Sequence, residues 1–181
     1  MQVHADSSNF AEGVSKEDAY IQVIEQAKTL IEDQRNWRRF EPPSNTANAA
    51  SLLWHALRAL PSPSNEVNWA GFYVLDPRKP KQLILGPFHG KVACQTIAFG
   101  RGVCGTAAAS GQTQLVPDIE AFPGHIACDS ESRSEIVVPI LQGDKVVAII
   151  DIDCAVQSGI DVVDQRYLEE FAALLAEACD W

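Results

Sequence analysis

Three carboxylates stand in two β-type runs near the end of the chain and have the composition of an acid–base site. In Lys145–Asp153 (KVVAIIDID), Asp151 and Asp153 are two residues apart, so a strand directs both to the same face. Glu135 begins the preceding run and joins them if the two runs pair as a hairpin. Paired carboxylates usually mark the solvated end of a strand. Here they also continue an apolar row, so a pocket stays open as the alternative, in which repulsion would raise the pKa of at least one carboxyl and make it a general acid.

Five cysteines offer a second kind of chemistry, and three of them share a segment rich in glycine and serine: Cys94, Cys104 and Cys128. Cys128 lies in Phe122–Glu135 (FPGHIACDSESRSE), a long polar loop. A redox mechanism needs a thiolate in such a loop and a second thiol that can reach it. We therefore predict a dithiol mechanism and a mobile loop around Cys128. Cys154, after the last strand, and Cys179, in the final helix, are predicted to be structural.

Two other interpretations of these thiols stay open. A free cysteine is most often a small buried apolar residue. The three clustered thiols could also be metal ligands with His89 or His125 as a fourth, but their separations match no zinc-binding spacing, and we expect no metal. An odd number of cysteines without an export signal disfavours a framework of structural disulfides.

Aromatic residues cluster on the first β-type run, Trp69–Leu75 (WAGFYVL). Trp69 and Tyr73 are four residues apart, so a strand can direct both to one side. Such aromatics usually belong to the core. At the edge of a pocket they would instead hold a small apolar group such as a methyl.

The elements that must position these residues follow from the change of hydrophobic period along the chain. Helical spacing begins at Lys16, recurs over residues 49–60 and returns in Asp161–Cys179. Strands are predicted at 69–75, 82–88, 94–99, 113–117, 135–141 and 145–153, with a short helix in 105–110 and a tight turn at 142–144. Helices followed by strands predict an α+β domain whose largely antiparallel sheet of about six strands carries the N- and C-terminal helices on one face. We predict a polar arm over 1–15 and one domain over 16–181.

Composition excludes several classes of function. The 181 residues carry a formal charge of -10, which disfavours nucleic acid as a partner because that binding depends on neutralising phosphates. No apolar stretch reaches the roughly 18 residues of a membrane span, and the first twenty residues lack the basic start and apolar core of a signal peptide. We expect a soluble protein of the cytoplasm, with the nucleus as a second location, and no membrane partner.

Four blocks together resemble the free methionine-(R)-sulfoxide reductases, which are stand-alone GAF-domain enzymes. The blocks are NWAGFYVL (68–75), GKVACQTIAFGRGVCGTAA (90–108), PGHIACDSESRSEIVVPI (123–140) and VVAIIDIDC (146–154). They follow the family's order, and the resemblance spans roughly Tyr20 to the C-terminus. A generic GAF domain would lack the three cysteines within these blocks.

The resemblance implies a role for each candidate residue. Cys128 corresponds to the catalytic cysteine, Cys94 to the resolving cysteine and Cys104 to the third thiol of the set. The acidic substrate pocket corresponds to Glu135, Asp151 and Asp153, and its aromatic side to Trp69 and Tyr73. The implied reaction passes through a sulfenic acid and an intramolecular disulfide. No bound cofactor is implied, since thioredoxin, and ultimately NADPH, supplies the electrons. A second copy of the chain is a candidate partner.

Two other classes of function fit the same fold. A GAF domain can bind a small ligand as a sensor without converting it, and a pair of cysteines can report oxidation as a redox sensor. Replacing Cys128 by serine separates the three: the enzyme loses turnover, the ligand sensor keeps its affinity, and the redox sensor loses only its response to oxidant.

Overall fold

The computed structural model describes residues 13–31, 44–124 and 130–181. The helices are α1 (Lys16–Ile31), α2 (Ser44–Ala59), α3 (Gly102–Ser110) and α4 (Val162–Ala178). The strands are β1 (Val67–Leu75), β2 (Gln82–Gly90), β3 (Thr96–Ala98), β4 (Gln114–Val116), β5 (Ser134–Gln142) and β6 (Lys145–Cys154). Every predicted helix and strand is present. The predicted arm falls largely outside the described residues, as do the middle of the predicted Cys128 loop (125–129) and Cys128 itself.

The six strands form one sheet in the order β3-β2-β1-β6-β5-β4, and each neighbouring pair is antiparallel. β5 and β6 form the predicted hairpin, closed where Gln142 pairs with Lys145. Gly143 in its turn has φ of 60°, a conformation that glycine adopts without steric cost. The predicted α+β class with a largely antiparallel sheet is confirmed.

Three helices cover one face of the sheet, as the sequence predicts. Alternate residues of β1, Ala70, Phe72 and Val74, point into a large apolar core formed with α1, α2 and α4. At the start of α1, the Ser15 hydroxyl accepts a hydrogen bond of 3.1 Å from the Asp18 N–H and so satisfies one free backbone donor. This face supplies most of the apolar burial on which stability depends.

The opposite face is less extensively covered. Trp69 and Tyr73 of β1 point to it and pack with α3 in a smaller apolar cluster. Beside that cluster the sheet is not sealed, and a cavity remains. No helix in the described ranges is long and apolar enough to cross a membrane.

Candidate functional site

The cavity has a volume of about 310 Å³ and lies between α3, β3 and the paired ends of β5 and β6. Its lining combines thiols, carboxylates and small polar groups: Gln82, Cys94, Thr96, Ile97, Ala98, Arg101, Gly102, Val103, Cys104, Ser132, Glu135, Asp151 and Asp153. The three predicted carboxylates and two of the three predicted thiols are thus brought together from four separate segments.

The β5–β6 hairpin sets the spacing of the carboxylates. Glu135 is directly opposite Asp153, and Asp151 is opposite Val137, two residues further along β5. Alternation along the two strands therefore gives all three acidic side chains the same face. Asp151 and Glu135 are only 5% and 6% exposed, whereas Asp153 is half-buried. The sequence-based hypothesis of a pocket, rather than a solvated strand end, is the one that the geometry supports.

Helix α3 places the Cys104 thiol against these acids. The helix packs so closely on β3 that a methyl group added at Gly105 would lie 2.4 Å from the carbonyl oxygen of Ala98. This approach puts Cys104 Sγ 3.2 Å from Oδ2 of Asp151 and 3.6 Å from Oε1 of Glu135. The thiol S–H is therefore a hydrogen-bond donor to the acidic pair.

Burial favours the protonated forms of all three groups in this cluster. Burial raises the pKa of Asp151 to about 7, against the opposing effect of the Cys104 hydrogen bond. Burial, followed by the neighbouring Asp151 and Asp153 charges, raises the pKa of Glu135 well above its usual value. The same causes raise the pKa of Cys104, so this thiol is a proton donor and a poor nucleophile. A carboxyl with a pKa near 7 is suited to general acid catalysis at neutral pH.

Cys94 differs from Cys104 in its exposure and its setting. It lines the cavity, is half-buried and lies in the loop between β2 and β3. The sequence predicts a strand from residue 94, but β3 begins only at Thr96. The Gly90 φ of 126° ends β2 in a conformation that suits glycine and lets the chain leave the sheet before Cys94.

Polar contacts connect the Cys94 loop and the neighbouring strand β1 to the segment that follows Cys128. Lys91 Nζ is 2.5 Å from Glu131 Oε2, and Asn68 Nδ2 donates to the Ser132 hydroxyl at 3.1 Å. Ser132 itself lines the cavity. Ser132, four residues after Cys128, thus lines the same cavity as Cys94.

Trp69 and Tyr73 lie behind the cavity and are not among its described lining residues. Their rings stack at 5.8 Å between centroids, and Trp69 also stacks on Phe88 at 5.2 Å. Both are buried in the cluster that contains Cys104. Gly71 opposite Phe88 permits this stack, because a methyl group there would lie 2.3 Å from Phe88 Cβ. Their predicted contact with a methyl group of the substrate stays a prediction.

Arg101 and Ser132 line the cavity although the sequence-based reasoning did not select them. Arg101 stands three residues before Cys104, at the start of α3, and is the one cationic residue among the described lining residues. A charged residue in a Gly-Arg-Gly segment beside a candidate thiol was the available signal. The two cysteines predicted to be structural, Cys154 and Cys179, are fully buried in the large core.

Known proteins resemble the chain over almost its full length. The family model for the GAF domain matches residues 46–180. A protein named free methionine-R-sulfoxide reductase from Saccharomyces cerevisiae is 48% identical over 97% of this chain and 94% of its own. One of the same name from Escherichia coli is 43% identical over 71% of this chain and 72% of its own.

Solved structures agree with these sequence matches. A structure described as that of the GAF domain has a TM-score of 0.91 at 47% identity, covering 99% of this chain and 98% of that one. The free methionine-R-sulfoxide reductase of Neisseria meningitidis, in complex with its substrate, has a TM-score of 0.82 at 38% identity. It covers 94% of this chain and 93% of its own.

Proposed function

The chain belongs to the free methionine-R-sulfoxide reductases of the GAF-domain family, and from this premise we propose that it reduces free L-methionine-(R)-sulfoxide to L-methionine. The observation that carries the proposal is a cavity lined by Cys94 and by three acidic residues. Two of these acids, Asp151 and Glu135, are buried, and the third is Asp153. We also propose that the domain comprises residues 16–181. It therefore begins with α1, before residues 46–180, which match the family model for the GAF domain.

The chemistry of the substrate requires such a combination. A sulfoxide sulfur is electrophilic, but its oxygen is a good leaving group only when protonated, so a thiolate and an acid are needed together. In our scheme the Cys128 thiolate attacks the sulfur while a carboxyl of the acidic set protonates the oxygen. The attack forms a bond between Cys128 Sγ and the substrate sulfur. Transfer of the protonated oxygen to Sγ then breaks that bond and the substrate S–O bond, which leaves methionine and a Cys128 sulfenic acid as products.

The second half of the cycle uses Cys94. Its thiol condenses with the Cys128 sulfenic acid, forming an S–S bond and releasing water. The half-buried position of Cys94 at the cavity wall supports this role, and the buried, protonated state of Cys104 argues against a nucleophilic one. An external dithiol, which we propose to be thioredoxin, then reduces the disulfide. No bound cofactor is needed in this scheme, because both electrons come from the protein's thiols.

The charges of the cavity fit a free amino acid. A carboxylate set attracts the ammonium group, and Arg101 at the same cavity offers a guanidinium to the α-carboxylate. A peptide-bound methionine sulfoxide has neither free group next to its side chain. We place the reaction in the cytoplasm, where a thioredoxin system is maintained.

The direct test follows NADPH consumption in the presence of thioredoxin and its reductase. Free methionine-(R)-sulfoxide, the free S epimer and an N-blocked R-sulfoxide are offered separately, each to the wild-type chain and to Cys128→Ser. We expect turnover with the free R epimer alone, and none with Cys128→Ser. Turnover without loss in Cys128→Ser would refute the assigned nucleophile.

Dithiothreitol in place of thioredoxin separates the reductant from the reaction. Turnover with dithiothreitol but not with thioredoxin would keep the reductase activity and refute the proposed partner. No turnover with either, when the protein's own disulfide is shown to be reduced, would refute the activity and favour a binding domain.

A further inference from the structure

The cluster of Cys104, Glu135 and Asp151 has the dimensions of a metal-binding site. One ligand atom from each residue lies within 4.8 Å of the others, and all three side chains are buried. The sulfur lies 3.2 Å and 3.6 Å from the two carboxylate oxygens. In a tetrahedral zinc site, with Zn–S of about 2.3 Å and Zn–O of about 2.0–2.2 Å, the sulfur and oxygen ligands are about 3.5 Å apart. The observed separations bracket that value.

A second observation points to a ligand at this cluster. Oδ1 of Asp151 is buried and has no hydrogen-bond partner among the described residues, although Oδ2 contacts Cys104. A buried carboxylate oxygen without a partner costs free energy that a bound cation or ligand would recover. Asp151 also lines the cavity, so an ion at this point can be reached through it and has room for a further ligand.

We propose that Cys104, Glu135 and Asp151 form a Zn²⁺ site that blocks the reductase when it is occupied. The mixed sulfur and oxygen donor set selects zinc or cadmium over Mg²⁺ and Ca²⁺, which require oxygen ligands alone. The three protein ligands leave a fourth position open towards the cavity, where water or Asp153 can complete the tetrahedron.

Binding exchanges protons for the metal. The ion can bind only if the Cys104 thiol gives up its proton to solvent, together with any proton that the two carboxyls hold. The inhibitory consequence rests on the proposed function, since the ion would occupy the acids that donate the proton and attract the ammonium group. Metal binding itself does not depend on it.

Cobalt provides a readout that is independent of turnover. Co²⁺ is titrated into the reduced Cys94→Ser/Cys128→Ser double variant, in which Cys104 is the remaining thiol known to line the cavity. We expect a near-ultraviolet thiolate-to-cobalt absorption band that Zn²⁺ abolishes by displacement and that excess Mg²⁺ leaves unchanged. Adding Cys104→Ser should remove the band and lower zinc affinity by at least about 100-fold. Asp151→Asn, which keeps the thiol, should lower zinc affinity similarly.

Turnover is then measured with the wild-type chain under dithiothreitol, in a Zn²⁺ buffer. We expect inhibition that is competitive with the sulfoxide and is reversed by a chelator. A cobalt band that persists after Cys104→Ser, or zinc affinity unchanged by Asp151→Asn, would overturn the site. Zinc binding without inhibition of an active enzyme would overturn its inhibitory role. Binding to a chain that shows no turnover at all would instead count against the proposed function alone.

Discussion

Asp151 and Asp164 are both buried, but their surroundings differ in almost every respect. Asp164, in the first turn of α4, accepts hydrogen bonds from Lys16 Nζ at 2.7 Å and from the Tyr20 hydroxyl at 2.8 Å. The backbone N–H of Asp161 donates to it as well, at 2.8 Å. Both carboxylate oxygens therefore have partners, and one of these is a cation.

Asp151 has a thiol on one oxygen, no partner on the other among the described residues, and Glu135 as an acidic neighbour. No described cation forms an ion pair with it. Burial raises its pKa to about 7. Burial also raises the pKa of Asp164, but the Lys16 hydrogen bonds outweigh the burial of the ammonium and raise the pKa of Lys16. We take Asp164 as ionised at neutral pH, because the short contacts are those of an ion pair.

The comparison teaches how one residue type can serve structure or chemistry. Asp164 closes a network that joins α1 to α4, so its charge is neutralised and its proton is not needed. The charge of Asp151 is not neutralised by any described cation. Its burial therefore destabilises the fold but keeps a titratable proton at the cavity. Functional sites commonly retain such locally unfavourable groups. The comparison therefore predicts opposite effects for matched substitutions at the two positions.

The largest effect is expected from Asp151→Asn. The amide keeps the size of the carboxyl but cannot donate the proton as an acid, so kcat/KM should fall by at least about 100-fold. The free energy of unfolding at pH 8 should not fall, since the substitution removes a buried charge. Both are measured on the same preparation, by coupled assay and by urea unfolding.

Asp153→Asn is the matched control on the same strand face. Asp153 is half-buried and better solvated, so its substitution should change stability less than Asp151→Asn does. If Asp151→Asn retained wild-type kcat/KM, Asp151 could not be the acid of the site.

The second prediction concerns the pH dependence of stability. The folded pKa of Asp151 is about 7, above the unfolded value of roughly 4, so the folded state binds more protons between these values. The free energy of unfolding should therefore decrease as the pH rises from about 4 to about 7, by at most about 4 kcal/mol from this residue. Asp151→Asn should flatten the decrease, and more so because the charge of Asp151 also raises the pKa of Glu135. Urea unfolding at pH 5 and pH 8 measures the difference, and parallel profiles for the two proteins would contradict it.

Local patterns accounted for much of this architecture. The period of two in β5 and β6, with a glycine turn between them, was enough to predict the hairpin that aligns Glu135 with Asp153. Those patterns depend on neighbours along the chain, which a sequence displays directly. The roles assigned to the three thiols came instead from the resemblance to the family.

What the sequence could not show depends on contacts between distant segments. The bond between Cys104 and Asp151 joins α3 to β6 and results from the close packing of α3 on β3 at Gly105. The burial of Trp69 behind the cavity likewise depends on Phe88, from the neighbouring strand. The Asp164 network joins Lys16 to Asp164, which are 148 positions apart, and no local pattern in the sequence predicts this contact.

The third prediction concerns Asp164, whose substitution should lower stability and leave turnover unchanged. Asp164→Asn leaves the Lys16 ammonium, which is only 16% exposed, with one acidic partner, Asp161. The loss of a largely buried ion pair should lower the free energy of unfolding by about 2–3 kcal/mol. Turnover below the unfolding transition should stay near the wild-type value, because the network lies on the far face of the sheet from the cavity. A selective loss of kcat without loss of stability would contradict the structural assignment.

The smallest effect is expected from Tyr20→Phe. This substitution removes a hydrogen bond from one carboxylate oxygen of Asp164 and so makes it more like Asp151, whose Oδ1 has no partner among the described residues. Burial, aided by the Asp164 charge, raises the pKa of Tyr20 well above its usual value, so its hydroxyl is a neutral donor at 2.8 Å. Phenylalanine keeps the stack on Tyr167 but leaves Oδ1 of Asp164 without that donor. We expect a loss of about 1–2 kcal/mol in urea unfolding and unchanged kcat/KM. In the Asp164→Asn background the same change should cost less, because the hydroxyl then loses only a neutral partner. Equal costs in the two backgrounds would show that the tyrosine acts through packing rather than through the carboxylate.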